Sequence, residues 1–275
     1  MSTFPLEGDA LPTELRKDEK GTEYVHEYAG WLLLLDEMNH ADRSVQKAAY
    51  KVVLDKQIGE FNIHKNCAIA CAGNLDTDNA MVEEMSTALQ SRLVHLELAV
   101  DVDQWIEWAT SNGIDHRITS YIKYKPDNLY RFQPDHDDKT YASPRTWEFC
   151  SRIIKSEERI ERDLLPLLAG TISEGVAREF FGYSQIYRQL LTVPQIAANP
   201  MGVTVPEEPD VLYALTGTIA HNATEVNIGP LMEFVQRIPV EFQVTCLREI
   251  VRRKKPLLQN KAVQDWVTRN ATELF

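Results

Sequence analysis

The residues best placed to do chemistry stand at the end of a short apolar run, Trp31-Leu32-Leu33-Leu34-Leu35-Asp36-Glu37. Two adjacent carboxylates offer hard oxygen donors. Asp36 can hold Mg²⁺, directly or through water, and Glu37 can polarise a water that attacks a γ-phosphate. The alternative is a buried strand followed by acids that favour a helix N-terminus. Asn74 closes a second apolar run, Cys67–Ala72, through Gly73. An amide beside a carboxylate pair can orient the lytic water and touch the same phosphate, or can simply be a turn residue. Arg92 precedes a third apolar run and can reach a phosphate on a neighbouring subunit. Arg145, just after Ser143-Pro144, can stabilise phosphate charge from a helix start, adding to the field of the helix end. Either arginine alone also reads as a surface ion pair.

These residues need a scaffold that brings strand ends together. A continuous apolar run such as Trp31–Leu35 reads as a strand buried on both faces, as in a parallel sheet covered by helices. In such sheets ligands bind beyond the carboxyl ends of the strands. Cys67–Ala72 reads as a second buried strand and Leu93–Leu98 as a third. Between the first two, Asp42 is a plausible N-cap for a helix over Ser44–Leu54, where Val45, Ala48, Ala49, Val52 and Val53 recur at helical spacing. Gln57–Lys65 suggests a short hairpin or extended segment around Gly59. Met1–Gly30 reads as loop with at most one irregular helix or strand. Asp78–Leu89 reads as loop, then helix.

Beyond residue 100 the pattern turns helical. Gln104–Asn112 forms a short amphipathic helix, and Tyr124–Tyr141 is loop-like. Ser143 caps a helix with Pro144 at its first position. Further helices are expected over Arg145–Ile154, Leu164–Phe181, Ile186–Leu191, Pro209–His221, Ile228–Arg237, Val240–Arg253 and Val263–Leu274, with a Pro-rich break at Pro194–Pro209.

Composition bounds the rest. The chain has 275 residues, 44% hydrophobic and 25% charged, an ordinary globular balance with room for one large or two small domains. No apolar run nears the length of a membrane span and no signal peptide stands at Met1, so a cytoplasmic protein is expected. A net charge of -12 disfavours nonspecific nucleic-acid binding. Cys67, Cys71, Cys150 and Cys246 are too few and too scattered for a disulfide framework; Cys67 and Cys71, in an apolar strand-like run without zinc-knuckle spacing, read as buried thiols. His136 among Asp135, Asp137 and Asp138 reads as a solvated acidic loop rather than a metal site. The basic run Arg252–Lys255 reads as a solvated helix end, with contact to nucleic acid or an acidic partner as the alternative.

Taken together, LLLLDEMNHADRSVQKAAYKVVLD, CAGN, ALQSRLVHLEL and ASPRTWEFCSRII resemble the MoxR-like branch of AAA+ ATPases of bacterial and phage type. The resemblance covers roughly 30–182. It implies an α/β fold in which residues 1–100 form a partial AAA+ P-loop core, 101–195 an all-α lid and 196–275 a C-terminal helical region. It assigns Asp36 and Glu37 to Walker B, Asn74 to sensor 1, Arg92 to the arginine finger and Arg145 to sensor 2. It further implies ATP and Mg²⁺ as cofactors, a ring of like subunits, commonly a hexamer, and a protein substrate or adaptor as partner.

One motif is missing. No G-x-x-x-x-G-K-[ST] loop occurs in the sequence. Without it there is no amide cradle or lysine for the β- and γ-phosphates. The expectation is a fragment that does not hydrolyse ATP alone and exposes strand surface its missing neighbours would cover. The alternatives are a non-catalytic adaptor in a ring of intact ATPases and a clamp-loader-like subunit.

Overall fold

The computed structural model describes residues 4–18, 20–75, 85, 87–133 and 139–270. The protein is mixed α/β, with a small parallel sheet and a helical C-terminal region. It divides into two compact units, Met1–Leu98 and Ala99–Phe275.

In the first unit, β1 (Thr13–Lys17) and β2 (Glu23–Glu27) form an antiparallel hairpin where loop was expected. Almost every residue of both strands is exposed, so no buried stripe marks them in the sequence. β3 (Trp31–Leu35) pairs in parallel with β6 (Cys67–Cys71), from Trp31 opposite Cys67 to Leu35 opposite Cys71. The crossover is α1 (Arg43–Asp55), preceded by Asp42 and closed by Lys56 in left-handed conformation, then the hairpin of β4 (Gln57–Ile58) and β5 (Phe61–Asn62). Asp42 occupies the N-cap position, but its side chain accepts no capping hydrogen bond.

Two expectations for this sheet are corrected. β3 is not buried on both faces: Leu32 and Leu34 are 73% and 58% exposed. Leu93–Leu98 is not a strand, because no described strand lies alongside to bond with it. Val94, Leu96 and Leu98 alternate as a strand would, yet are 87%, 85% and 96% exposed. The helix expected in Asp78–Leu89 falls mostly outside the described residues, apart from the single turn of α2 (Thr87–Gln90).

The second unit is helical. An apolar cluster around Tyr121, Trp147 and Phe180 is built mainly by α3 (Val102–Ser111), α4 (His116–Tyr124), α5 (Pro144–Ile154), α6 (Leu165–Ile172) and α7 (Glu174–Ser184). A second, around Phe234, Ile250 and Trp266, is built by α8 (Val193–Ala198), α9 (Pro209–Asn222), α10 (Ile228–Val235), α11 (Val240–Arg253) and α12 (Lys261–Arg269). α9 packs on both α4 and α11. α4 was not expected. The helix expected over Leu164–Phe181 is broken by Ser173, at φ 75° and ψ 157°, into α6 and α7. Part of the expected break at Pro194–Pro209 is helical, as α8.

Three residues of the basic run expected just after a helix, two of them the last of α11, are absorbed into the fold. Arg252 pairs with Glu107 at 3.5 Å and Arg253 with Glu249 at 2.8 Å. Lys254 donates to the carbonyls of His221 and Ala223, tying off the end of α9. Cys67, Cys150 and Cys246 are buried free thiols, and Cys71 is half-buried. The acidic loop around His136 lies outside the described residues, as do residues 271–274 of the last expected helix. No helix among the described residues is long and apolar enough to cross a membrane.

Candidate functional site

The parallel pairing of β3 and β6 sets the geometry of the first unit. The ladder runs past the strands, with Ala72 N–H donating to Leu35 O and Met38 N–H to Ala72 O, each at 2.9 Å. Asp36-Glu37 and Gly73-Asn74 therefore leave from the same, carboxyl end of the sheet.

Glu37 is left-handed, at φ 52° and ψ 36°, and its N–H donates to Asp36 Oδ1 at 3.0 Å. A non-glycine residue in this region carries strain that the surroundings must hold. What holds it is the turn Met38–His40, whose Met38 side chain is buried. Asn39 then reaches across and donates from Nδ2 to Asn74 O at 2.7 Å. Gly73 makes room for this contact, since a Cβ there would lie 2.1 Å from Asn39 Oδ1. Asn39 thus ties the two strand-end loops together. Sequence reasoning missed it; the signal was an amide two residues beyond the acidic pair.

A cleft of about 590 Å³ opens beside β6. Asn39, Asn74 and Arg92 line it, together with Ile69, Ala70 and Cys71 of β6 and Leu93–Leu96. The fold thus brings Arg92 to the same cleft as Asn74 within one chain. Asp36 and Glu37 lie outside its lining, are exposed, and form no ion pair among the described residues.

Arg145 belongs to the second unit. It is the second residue of α5, directly after Pro144. Ser143 Oγ accepts from Thr146 N–H at 3.2 Å, while Thr146 Oγ1 accepts from Ser143 N–H at 2.8 Å, a reciprocal capping box. Trp147 is buried beneath and donates from Nε1 to Asn128 O at 2.8 Å. These contacts fix the helix start, and Arg145 stands exposed on it without a hydrogen bond or ion pair among the described residues.

The chain matches no known protein family and no curated protein. Among the described residues, no group of three or more His, Cys, Asp or Glu side chains is arranged to hold a metal ion. A Mg²⁺-nucleotide makes a smaller demand, because Mg²⁺ keeps several waters and takes one or two carboxylates plus the phosphates. The exposed Asp36 carboxylate is the right kind of donor for that role.

Proposed function

We propose that this chain carries the hydrolytic half of a MoxR-like AAA+ ATPase site, working on Mg-ATP between ring subunits and driving the remodelling of a protein partner. The observation that carries this reading is the in-register parallel pair β3–β6, with Asp36-Glu37 and Asn74 leaving its carboxyl end. Asp36 would hold Mg²⁺, which neutralises phosphate charge when bound. Glu37 would accept a proton from the attacking water, and Asn74 would orient that water. Arg92 and Arg145 would stabilise charge on the transferring phosphate. The phosphate loop is absent from these 275 residues, so on this reading it is supplied by polypeptide outside them.

The test is Mg-ATP binding by calorimetry, comparing this chain with a version extended upstream to a phosphate loop. Only the extended version is expected to bind and turn over ATP, with Glu37→Gln abolishing turnover and sparing binding. Binding by the short chain alone would overturn the account of the missing loop. Failure of both to bind would favour the adaptor reading, which the absent G-x-x-x-x-G-K-[ST] also supports.

A further inference from the structure

The second unit holds a cleft of about 750 Å³, within the ordinary size of small-molecule sites. None of the residues already assigned a role lines it. One wall is the stacked pair of His116 at the start of α4 and His221 near the end of α9, with ring centroids 4.5 Å apart and 17° between planes. Tyr187 meets His116 edge-on at 5.6 Å. Neither histidine ring has a hydrogen bond among the described residues, although His116 Nδ1 lies 3.7 Å from Asp115 Oδ1. Both imidazoles are held toward the neutral form, His116 at about 4, with burial the leading cause.

The loop of residues 155–160 also lines the cleft, and it is built to hold its shape. Buried Arg117 grips Asp115 through Nε and Nη2 at 2.9 and 2.7 Å. The same guanidinium donates to the carbonyls of Ile154, at 2.9 Å, and Glu157, also at 2.9 Å. At the far end Gln185 Nε2 donates to Ile160 O at 3.2 Å, and Arg188 pairs with Glu161 at 2.5 Å. A loop anchored at both ends presents its side chains with little further ordering cost.

Lys155 and Arg159 line the cleft, are exposed, and make no hydrogen bond or ion pair among the described residues. The other lining arginines are engaged: Arg117 with Asp115, Arg188 with Glu161 and Arg253 with Glu249. Glu157 and Glu158 share the rim and temper the field. Even so, five lysine and arginine side chains line the cleft against three carboxylates, Asp115, Glu157 and Glu158, in a chain of net charge -12. A concave basic wall focuses potential on an anion.

We propose that this cleft binds a small organic oxyanion, a phosphate ester or a polycarboxylate, with its charged groups at Lys155 and Arg159 and its body against the His116–His221 stack. Arg117 is a positioning residue, acting through the loop it pins. The site is independent of the ATP reading, whose strand-end residues lie in the first unit.

The experiment is a titration of the full chain with AMP, citrate and inorganic phosphate at fixed ionic strength, read by calorimetry and by the histidine ring proton signals. His116→Gln and His221→Gln assign the two signals. AMP or citrate is expected to bind saturably, with Kd below about 1 mM, and to shift both rings. A response to AMP alone identifies a phosphate ester as the ligand class, and one to citrate alone a polycarboxylate. Lys155→Ala with Arg159→Ala, both exposed, should weaken binding about tenfold or more while leaving the circular dichroism spectrum unchanged. The proposal is overturned if neither organic anion binds saturably, if inorganic phosphate binds as tightly as both, if the two rings do not respond, or if the double substitution leaves the affinity intact.

Discussion

Lys123 on α4 donates to Glu249 on α11 at 2.5 Å, an ion pair that joins the two apolar clusters of the helical unit. Glu249 is only 2% exposed, and its other oxygen accepts from Arg253 Nη2 at 2.8 Å and Nε at 3.1 Å. Burial alone would raise this carboxyl's pKa, but Lys123 and Arg253 outweigh it and the net shift is downward. Removing one member leaves the others buried and unmatched, which typically costs about 3–5 kcal/mol. Glu249→Gln should therefore lower the urea midpoint of the second unit by a large margin. Because the folded pKa is depressed, the pair's contribution is full above the ordinary glutamate value of 4.5 and is lost as pH falls below it. A midpoint that does not move would mean the pair contributes nothing net.

His116 governs a different pH window. Burial is the main cause of its shift from 6.5 to about 4; His221, Arg117 and Arg253 add to it, and Asp115 opposes it. Glu249, Lys254 and Tyr187 complete the titratable surroundings of the stacked pair. The unfolded chain thus binds a proton at this residue that the folded chain refuses. Stability should fall as pH drops from 6.5 toward 4, ahead of the loss at Glu249. In His116→Gln the slope of melting temperature against pH should flatten over that window. An unchanged slope would show that other groups set it.

α4 and α9 approach so closely at Gly217 that a Cβ there would lie 2.0 Å from Ser120 Oγ. Gly217→Ala should destabilise by about 1–3 kcal/mol through overpacking. Ser120→Ala removes the clashing oxygen, so the double variant should recover much of the loss, a coupling of about 0.5–3 kcal/mol. Chemical denaturation of the four proteins in the cycle measures it. Strict additivity would place the cost in the helix backbone instead.

What could be read from the sequence was what local pattern determines. The runs Trp31–Leu35 and Cys67–Cys71 announce strands, and their parallel pairing puts Asp36 and Asn74 at one end of the sheet. Ser143-Pro144 fixes the start of α5 by capping chemistry alone. What escaped depends on partners distant in sequence. α4 buries Ile118, Tyr121 and Ile122, but its apolar stripe is masked by Arg117, whose burial makes sense only with Asp115 and the carbonyls of Ile154 and Glu157 around it. The Ser173 break has no glycine or proline at the break itself. Val94, Leu96 and Leu98 alternate like a strand, but pairing also requires a neighbour. Asn39 could be seen in the sequence, while its bond to Asn74 O, from 35 residues away, could not.

The uncovered face of β3 gives the last prediction. Parallel strands are normally covered on both faces, and a contiguous exposed apolar patch with an open edge favours association. Leu32, Leu34, Val94, Leu96 and Leu98 all stand exposed in the first unit. The isolated chain should therefore self-associate in sedimentation velocity runs at micromolar concentration. Leu32→Thr with Leu34→Thr should shift it toward monomer while changing stability by no more than about 0.5 kcal/mol per site, as at exposed positions generally. On the proposed reading, a version extended to the phosphate loop would bring helices that cover this face, and the same pair of substitutions should then cost far more, on the scale of core truncations. Equal cost in both contexts would mean that nothing docks on this face, and the reading of the chain as half of a nucleotide site would lose its structural support.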